Sequence, residues 1–350
     1  MDFTPTPEQQ AARELAASIF GDLSTHERLK AAGTGCDPAL WKTLCASGLP
    51  GAVEEVGLLG LVLLLEEQGR TTAQVPYAAT CAYGLLPVAA HGTDEQRARL
   101  LPGLRDGTLV AAGAFPPRAA SAVRGEGGGW RLTGSFPAVP WLREATHVLV
   151  PARLPGGAET GCFLAEVVAA GSVEPVELTA PWSAGRLTLA ATPAERLGDA
   201  DTCGSVLSVA RTAFAGLQAG VCAGSLARAV EYTTTREQFG RPLAANQGVM
   251  LRAADAYMDT EAIRVTAYEA AWRHDEALPA RTHALTAAWW ASEAGKRVVH
   301  AGQHLHGGMG ADLDHPVHRH FLWGRQLDSY LGSAPELLAE LGELLTEEAA

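Results

Sequence analysis

Two arginines bracket an aromatic residue in Arg236-Glu237-Gln238-Phe239-Gly240-Arg241-Pro242. Guanidinium groups grip phosphate oxygens through paired N–H donors, and an aromatic beside them can cover a ring, so this turn suits a diphosphate-bearing ligand. A second candidate is His306-Gly307-Gly308-Met309-Gly310, where adjacent glycines let a phosphate or ring come close to the backbone. It follows an expected helix and not a strand, so it fails the context of a dinucleotide-binding or phosphate-loop motif, and a plain helix-ending turn explains it equally. Six histidines fall between His300 and His320, and His300 with His304 could face one metal at i, i+4. Ala301 stands where a zincin helix carries Glu, however, so loop hydrogen bonds and contacts to a polar ligand are expected there instead of a metal. There is no nucleophile elbow, kinase set or deaminase pattern, and the acidic pairs Glu54-Glu55 and Glu66-Glu67 read as solvated helix faces.

The elements that must position these residues are mostly helical. Helical patterning covers Pro7 to Phe20, Pro38 to Ser47, Leu58 to Gln68 and a segment around Tyr77 to Ala90. Thr93-Asp94-Glu95-Gln96 has capping-box spacing and predicts a helix that ends at Gly103 or Gly107. From Leu109 to Leu197 the chain turns to Pro, Gly and short β-type runs (Trp130 to Thr133, Thr146 to Val150, Arg186 to Leu189), with a hairpin turn at Gly125 to Gly129. A small antiparallel β domain is expected there. Four long helices follow, at about 201–234, 246–275, 279–305 and 318–348, broken at Gly240-Arg241-Pro242, Leu278-Pro279 and Gly307 to Pro316, which suits a four-helix bundle. Gly216, Gly220 and Gly224 lay a smooth stripe on the first of these helices, for close helix packing within the bundle or across a subunit interface. The domains thus read as 1–108, helical; 109–200, β; and 201–350, bundle.

Composition narrows the functional classes. The chain has 350 residues and a net charge of −12, with no basic run, which argues against nucleic acid as a partner. The longest dense apolar run, Val56 to Leu65, is short of a membrane span, and the N-terminal residues lack a signal-peptide pattern, so a cytoplasmic location without membrane insertion is expected. The six scattered cysteines form no C-x-x-C pair and read as reduced, mostly buried thiols.

Thr234 to Leu243, then Asn246-Gln247, then Leu305-His306-Gly307-Gly308-Met309-Gly310 resemble, in order and spacing, the C-terminal bundle of acyl-CoA dehydrogenases. Trp41 to Pro50 and Gly92 to Gly107 look like that family's N-terminal helical domain, so the resemblance spans nearly the whole chain. It implies a mainly α fold with a β insert: helical domain, middle antiparallel β domain, C-terminal four-helix bundle. It also implies FAD shared at a subunit interface. Carried over, Arg236 would bind the pyrophosphate, Phe239 and Gln247 would line the adenine side, and His304 to Gly308, including Gly307 and Gly308, would close on the diphosphate. His304 replaces the family's usual glutamine. Arg211 and Tyr330 match positions on the substrate side.

The flavin-ring half departs from the pattern. Ala114-Phe115-Pro116-Pro117-Arg118-Ala119-Ala120 stands in place of the family's ring-cradling loop, and Ser135 to Trp141, with two prolines, in place of its flavin-edge strand. The family's catalytic Glu takes the α-proton of the acyl-CoA while hydride leaves for the flavin. Its usual position holds Leu331 here, and its alternative position holds Ala210, so no catalytic residue is assigned; Asp328 and Glu336 could serve only after a loop shift. The chain therefore resembles the base-lacking subunit of actinobacterial heteromeric α2β2 acyl-CoA dehydrogenases. That implies an oxidoreductase subunit inactive alone, acting on an acyl-CoA of lipid or steroid catabolism, whose partner chain supplies ring contacts and Glu. The alternative is a homo-oligomeric protein of this type, such as a homodimer, turned to non-redox chemistry or binding.

Overall fold

The computed structural model describes residues 2–116, 120–125, 128–157 and 159–349. The expected turn residues Glu126 and Gly127, and Pro117 to Ala119 of the loop after Ala114, lie outside the described residues.

Helix α1 (Pro7–Leu23) opens on a capping box made by Thr6 and Gln9, with Pro7 in its first turn. After it come α2 (His26–Ala32), which sequence patterning missed, α3 (Pro38–Ala46), capped by Asp37, and α4 (Leu49–Thr71). The segment from Tyr77 splits into α5 (Tyr77–Thr80), a π-helical turn and α6 (Leu86–His91). Helix α7 (Asp94–Asp106) starts at the Thr93–Gln96 box, with both hydrogen bonds made, and stops at Gly107, whose φ of 77° is left-handed.

Seven strands follow: β1 (Ala111–Gly113), β2 (Ser121–Arg124), β3 (Trp130–Val139), β4 (His147–Arg153), β5 (Thr160–Glu166), β6 (Ser172–Val176) and β7 (Ala184–Leu197). Their order is β1-β4-β2-β3-β7-β5, with β6 on β7 and a further β4–β5 pairing that closes the sheet on itself. The expectation of a purely antiparallel domain needs correction, because β1 and β2 run parallel to β4. Leu132, Phe136, Val148, Val150, Phe163 and Leu187 fill the interior. Pro137 sits in the register shift between Phe136 and Val139, where a bulge tolerates its missing donor.

Helix α8 (Thr202–Thr235) leads into a short hairpin, β8 (Glu237–Gln238) and β9 (Arg241–Pro242), then α9 (Gln247–Asp275) and α10 (Arg281–Leu305). The fourth expected helix is two, α11 (Val317–Leu327) and α12 (Ala334–Ala349). The break falls where Gly332 takes φ 123° and Glu336 turns back to accept from the N–H and hydroxyl of Ser333, which starts a new helix. Helix α8 is long and apolar enough to cross a membrane, but 83% of its apolar window is buried within the protein.

By packing, the chain forms two compact units interleaved in sequence: Met1–His26 with Leu58–Ala73 and Arg211–Ala350, and Glu27–Gly57 with Gln74–Ala210. In the first unit the α8 glycine stripe meets α4. A Cβ on Gly216 would lie 2.8 Å from the Val62 side chain, and one on Gly220 or Gly224 would strike the backbone of Glu66 or Arg70; Gly69 faces back onto Leu217. That contact also buries Glu66, which is 0% exposed, and Glu67, so this pair does not lie on a solvated face. Glu66 pairs with Arg264 at 3.2 Å and Arg13 at 3.8 Å, and Glu67 with Arg13 at 3.0 Å. Burial pushes the Glu66 carboxyl up, while Arg264 and Arg13 oppose it. The α4 turn after Gly57 (φ 73°) is capped from a distance: the Asp275 carboxylate accepts from the N–H groups of Leu58 and Leu59 at 2.8 and 2.9 Å.

Candidate functional site

The arginine turn is built at the C-terminal end of α8. Phe239 (φ 53°) and Gly240 (φ 77°) are both left-handed, as a two-residue hairpin loop demands. The turn throws the Phe239 ring entirely into solvent, at 101% exposure, and leaves Arg236 exposed beside it. Arg241 donates to the Asn246 side chain at 3.1 Å and ties the hairpin to the start of α9, where Gln247 is also exposed.

The glycine turn is fastened to the same end of α8. The buried His306 ring stacks on Tyr232 at 4.9 Å, and the Arg236 N–H donates to the Tyr232 carbonyl one turn on. His304, in the last turn of α10, and Gly307 and Gly308 are exposed. Gly307 needs its φ of 62°, and a Cβ on either glycine would meet open space, so this backbone is free to receive a group. All six residues carried over for the cofactor thus lie exposed on two turns linked through Tyr232. Three of them, Arg236, Gln247 and His304, have side chains that can hydrogen-bond a phosphate or base.

Behind the glycine turn lies a cluster of histidines beside Arg319. His306 lies 5.0 Å from His315, whose carbonyl is bonded by the His318 ring at 2.6 Å. Burial, then neighbouring cations, lower the pKa of His315 and His318. His320, 1% exposed and bonded to the Arg70 carbonyl at 3.0 Å, is pushed down to about 4 by burial, and Arg319 to about 10 by the same cause. Among the described residues no group of three or more His, Cys, Asp or Glu is placed to hold a metal, and His300 faces Arg325 at 3.3 Å.

The two residues expected on the substrate side, Arg211 and Tyr330, come together in a different place. Arg211, Phe214, Leu327, Tyr330, Leu331 and Leu337 line a cleft with internal space of about 20 Å³, room for about one water molecule. Tyr330 sits edge-on to Phe214 at 4.9 Å. Arg211, 6% exposed, donates to both Glu340 oxygens at 2.9 and 2.6 Å and reaches the Leu331 carbonyl at 3.4 Å. The Arg211 hydrogen bonds hold the Glu340 carboxyl below the usual range. Sequence reading missed Glu340, which stands in line with Glu336, Glu343 and Glu347 on α12 and so carries no signal of its own. Leu331 and Ala210 are buried and carry no proton. Asp328 pairs with Arg325 at 3.3 Å and Glu336 caps its own helix, and neither lines the cleft.

In the β domain, Phe115 is buried and stacked on Tyr83 at 5.6 Å, and Phe136 and Val139 point into the sheet core. These side chains serve their own packing.

Residues 6–108 match the sequence profile of the acyl-CoA dehydrogenase N-terminal domain, and residues 201–339 that of the acyl-CoA dehydrogenase C-terminal domain. The chain is 36% identical to acyl-CoA dehydrogenase FadE27 of Mycobacterium tuberculosis, with all of both chains aligned. Among solved structures, the Tcur3481-Tcur3483 steroid acyl-CoA dehydrogenase has a chain that superposes with a TM-score of 0.93 at 42% identity, covering 98% of each chain. The ChsE4-ChsE5 complex from Mycobacterium tuberculosis gives 0.93 at 32%, covering 99% of each. With profiles over both its helical ends and a relative matched from end to end, this chain belongs to the acyl-CoA dehydrogenase family.

Proposed function

We propose that the chain is the base-lacking subunit of a hetero-oligomeric, FAD-dependent acyl-CoA dehydrogenase. One observation carries the reading: the exposed turns around Arg236 and Gly307 fit the ADP half of FAD, whereas the cleft beside Leu331 holds no carboxylate free to take a proton and no room for an acyl chain. The fit rests on the open space before Gly307 and Gly308, the fully exposed Phe239 ring and the exposed Arg236. Arg236 would hold the diphosphate, Phe239 and Gln247 the adenine side, and His304 to Gly308 the diphosphate from the opposite turn. FAD supplies the hydride acceptor for α,β-dehydrogenation of an acyl-CoA thioester. This chain's Arg211 is occupied by Glu340, and Leu331 closes the cleft, so the Glu and the flavin-ring contacts belong to a second acyl-CoA dehydrogenase-type chain.

Two further observations support a partner. Met250, Leu251, Tyr257, Met258 and Val265 are exposed on α9 at i, i+1, i+7, i+8 and i+15, an apolar face suited to a subunit interface. The two solved relatives quoted above are named as pairs of chains, one of them as a steroid enzyme. A steroid or other lipid acyl-CoA is accordingly the proposed substrate class.

The test is Arg236→Ala in the co-purified complex. FAD content is expected to fall severalfold while both chains remain assembled; unchanged FAD stoichiometry would refute the assignment.

A further inference from the structure

The Arg236 turn follows α8 and the glycine turn follows α10, so their separation must be set by what lies between the two helices. Aim matters for a diphosphate. An arginine fork and a backbone N–H grip it together only when each stands within about 0.5 Å of its bonding position.

The two helices come close before they reach these turns: a Cβ on Gly302 of α10 would strike the Ser225 hydroxyl of α8. That approach brings two rings face to face. On the α10 side, the His306 ring is 3% exposed and bonded at Nδ1 to the Gly302 carbonyl at 2.7 Å. A carbonyl only accepts, so Nδ1 carries the proton and the ring is fixed to the helix end. The His306 N–H donates to the Gln303 carbonyl at 3.2 Å, and Gly307 follows directly at φ 62°. On the α8 side, the Tyr232 ring lies over His306 with centroids 4.9 Å apart and planes at 20°. The Tyr232 carbonyl accepts from the Arg236 N–H at 2.8 Å and from the Thr235 hydroxyl at 3.2 Å, and the Arg236 carbonyl accepts from the Leu243 N–H at 2.9 Å. The glycine backbone is thus tied through two stacked rings to the backbone that carries the Arg236 guanidinium.

We propose that Tyr232 and His306 are a positioning pair, whose stack fixes the distance between the Arg236 side chain and the Gly307–Gly308 backbone and thereby the affinity for the FAD diphosphate. The inference rests on the reading of these turns as the site of the ADP half. Each ring acts through the residues beside it in the chain: Tyr232 through Arg236, His306 through Gly307. The ring face is the working part, so the Tyr232 hydroxyl is dispensable.

The test is the FAD dissociation constant of the co-purified complex, read from flavin fluorescence, with solution mass showing that both chains stay assembled. Tyr232→Phe keeps the ring and should bind within about twofold of the wild type, whereas Tyr232→Leu should bind about tenfold more weakly. His306→Phe should likewise bind more tightly than His306→Ala. In the Arg236→Ala background, Tyr232→Leu should add less than about twofold, because the guanidinium it aims is already gone; a general loosening of the bundle would add its full loss again. Tyr232→Leu binding like the wild type, Tyr232→Phe as weak as Tyr232→Leu, or additive losses in the double variant would each overturn the proposal, while Arg236→Ala alone losing FAD would keep the ADP site. Arg236→Ala binding as tightly as the wild type would overturn that site and the positioning pair together. Where Tyr232→Leu does not assemble, His306→Ala against His306→Phe decides the matter, and equal affinities there would overturn the proposal.

Discussion

Arg211 is tied up by its neighbours. Buried, and with both Glu340 oxygens on its guanidinium, it is a structural cation closing a cleft. Removing the carboxylate charge leaves a desolvated guanidinium with weaker partners. Glu340→Gln is expected to cost about 2 kcal/mol, between the values for exposed and buried pairs, measured as a shift in the urea midpoint. An unchanged midpoint would mean the pair contributes nothing. A second residue-scale effect concerns acid. His320 is held neutral in the fold, at about 4 against an ordinary 6.5, so the unfolded chain takes up the proton first. Stability from this group is complete above pH 6.5 and is lost as the pH falls towards 4, by about 3 kcal/mol. His320→Gln keeps a donor for the Arg70 carbonyl but cannot titrate, so its unfolding free energy should fall less over that window. Parallel pH profiles for the two proteins would contradict the assignment. Arg236 and Phe239 were legible from residue type and spacing because a hairpin loop fixes their exposure locally. Glu340 and Asp275 were not, because their partners are 129 and more than 200 residues away in the chain.

Elements are held by contacts that depend on what is missing from a side chain. Gly220 lies on the backbone of Glu66, which cannot swing aside as a flexible side chain would. Gly220→Ala should therefore push α8 off α4 and strain the buried Glu66–Arg264 pair, destabilising by about 3 kcal/mol or more. Gly248→Ala, with nothing within 4 Å of its Cβ, should be neutral or slightly stabilising. Similar thermal melting for the two variants would show that the α8 stripe is not a tight contact. The stripe itself was legible as a four-residue repeat; its partner was not, because α4 is apolar nearly all round and carries no facing pattern. The capping box at Thr93 and the breaks at Gly240-Arg241-Pro242 and Leu278-Pro279 set their helix ends through local chemistry, and the structure follows them. The division of the last helix into α11 and α12 escaped notice because Gly332 and the Glu336 cap act inside an otherwise continuous helical pattern.

At the scale of the molecule, the proposed function needs two chains: the exposed turns around Arg236 and Gly307 would hold the ADP half of the cofactor, and the narrow cleft beside Leu331 would leave the chemistry to a partner. Under that proposal the exposed apolar face of α9 is where the second chain would bind. The most direct measurement is to purify this chain alone, and again co-expressed with a candidate second acyl-CoA dehydrogenase-type chain, recording flavin absorbance and solution mass each time. The account expects flavin only in the hetero-oligomer, with this chain alone colourless. A yellow homo-oligomer that oxidises an acyl-CoA without a partner would contradict it.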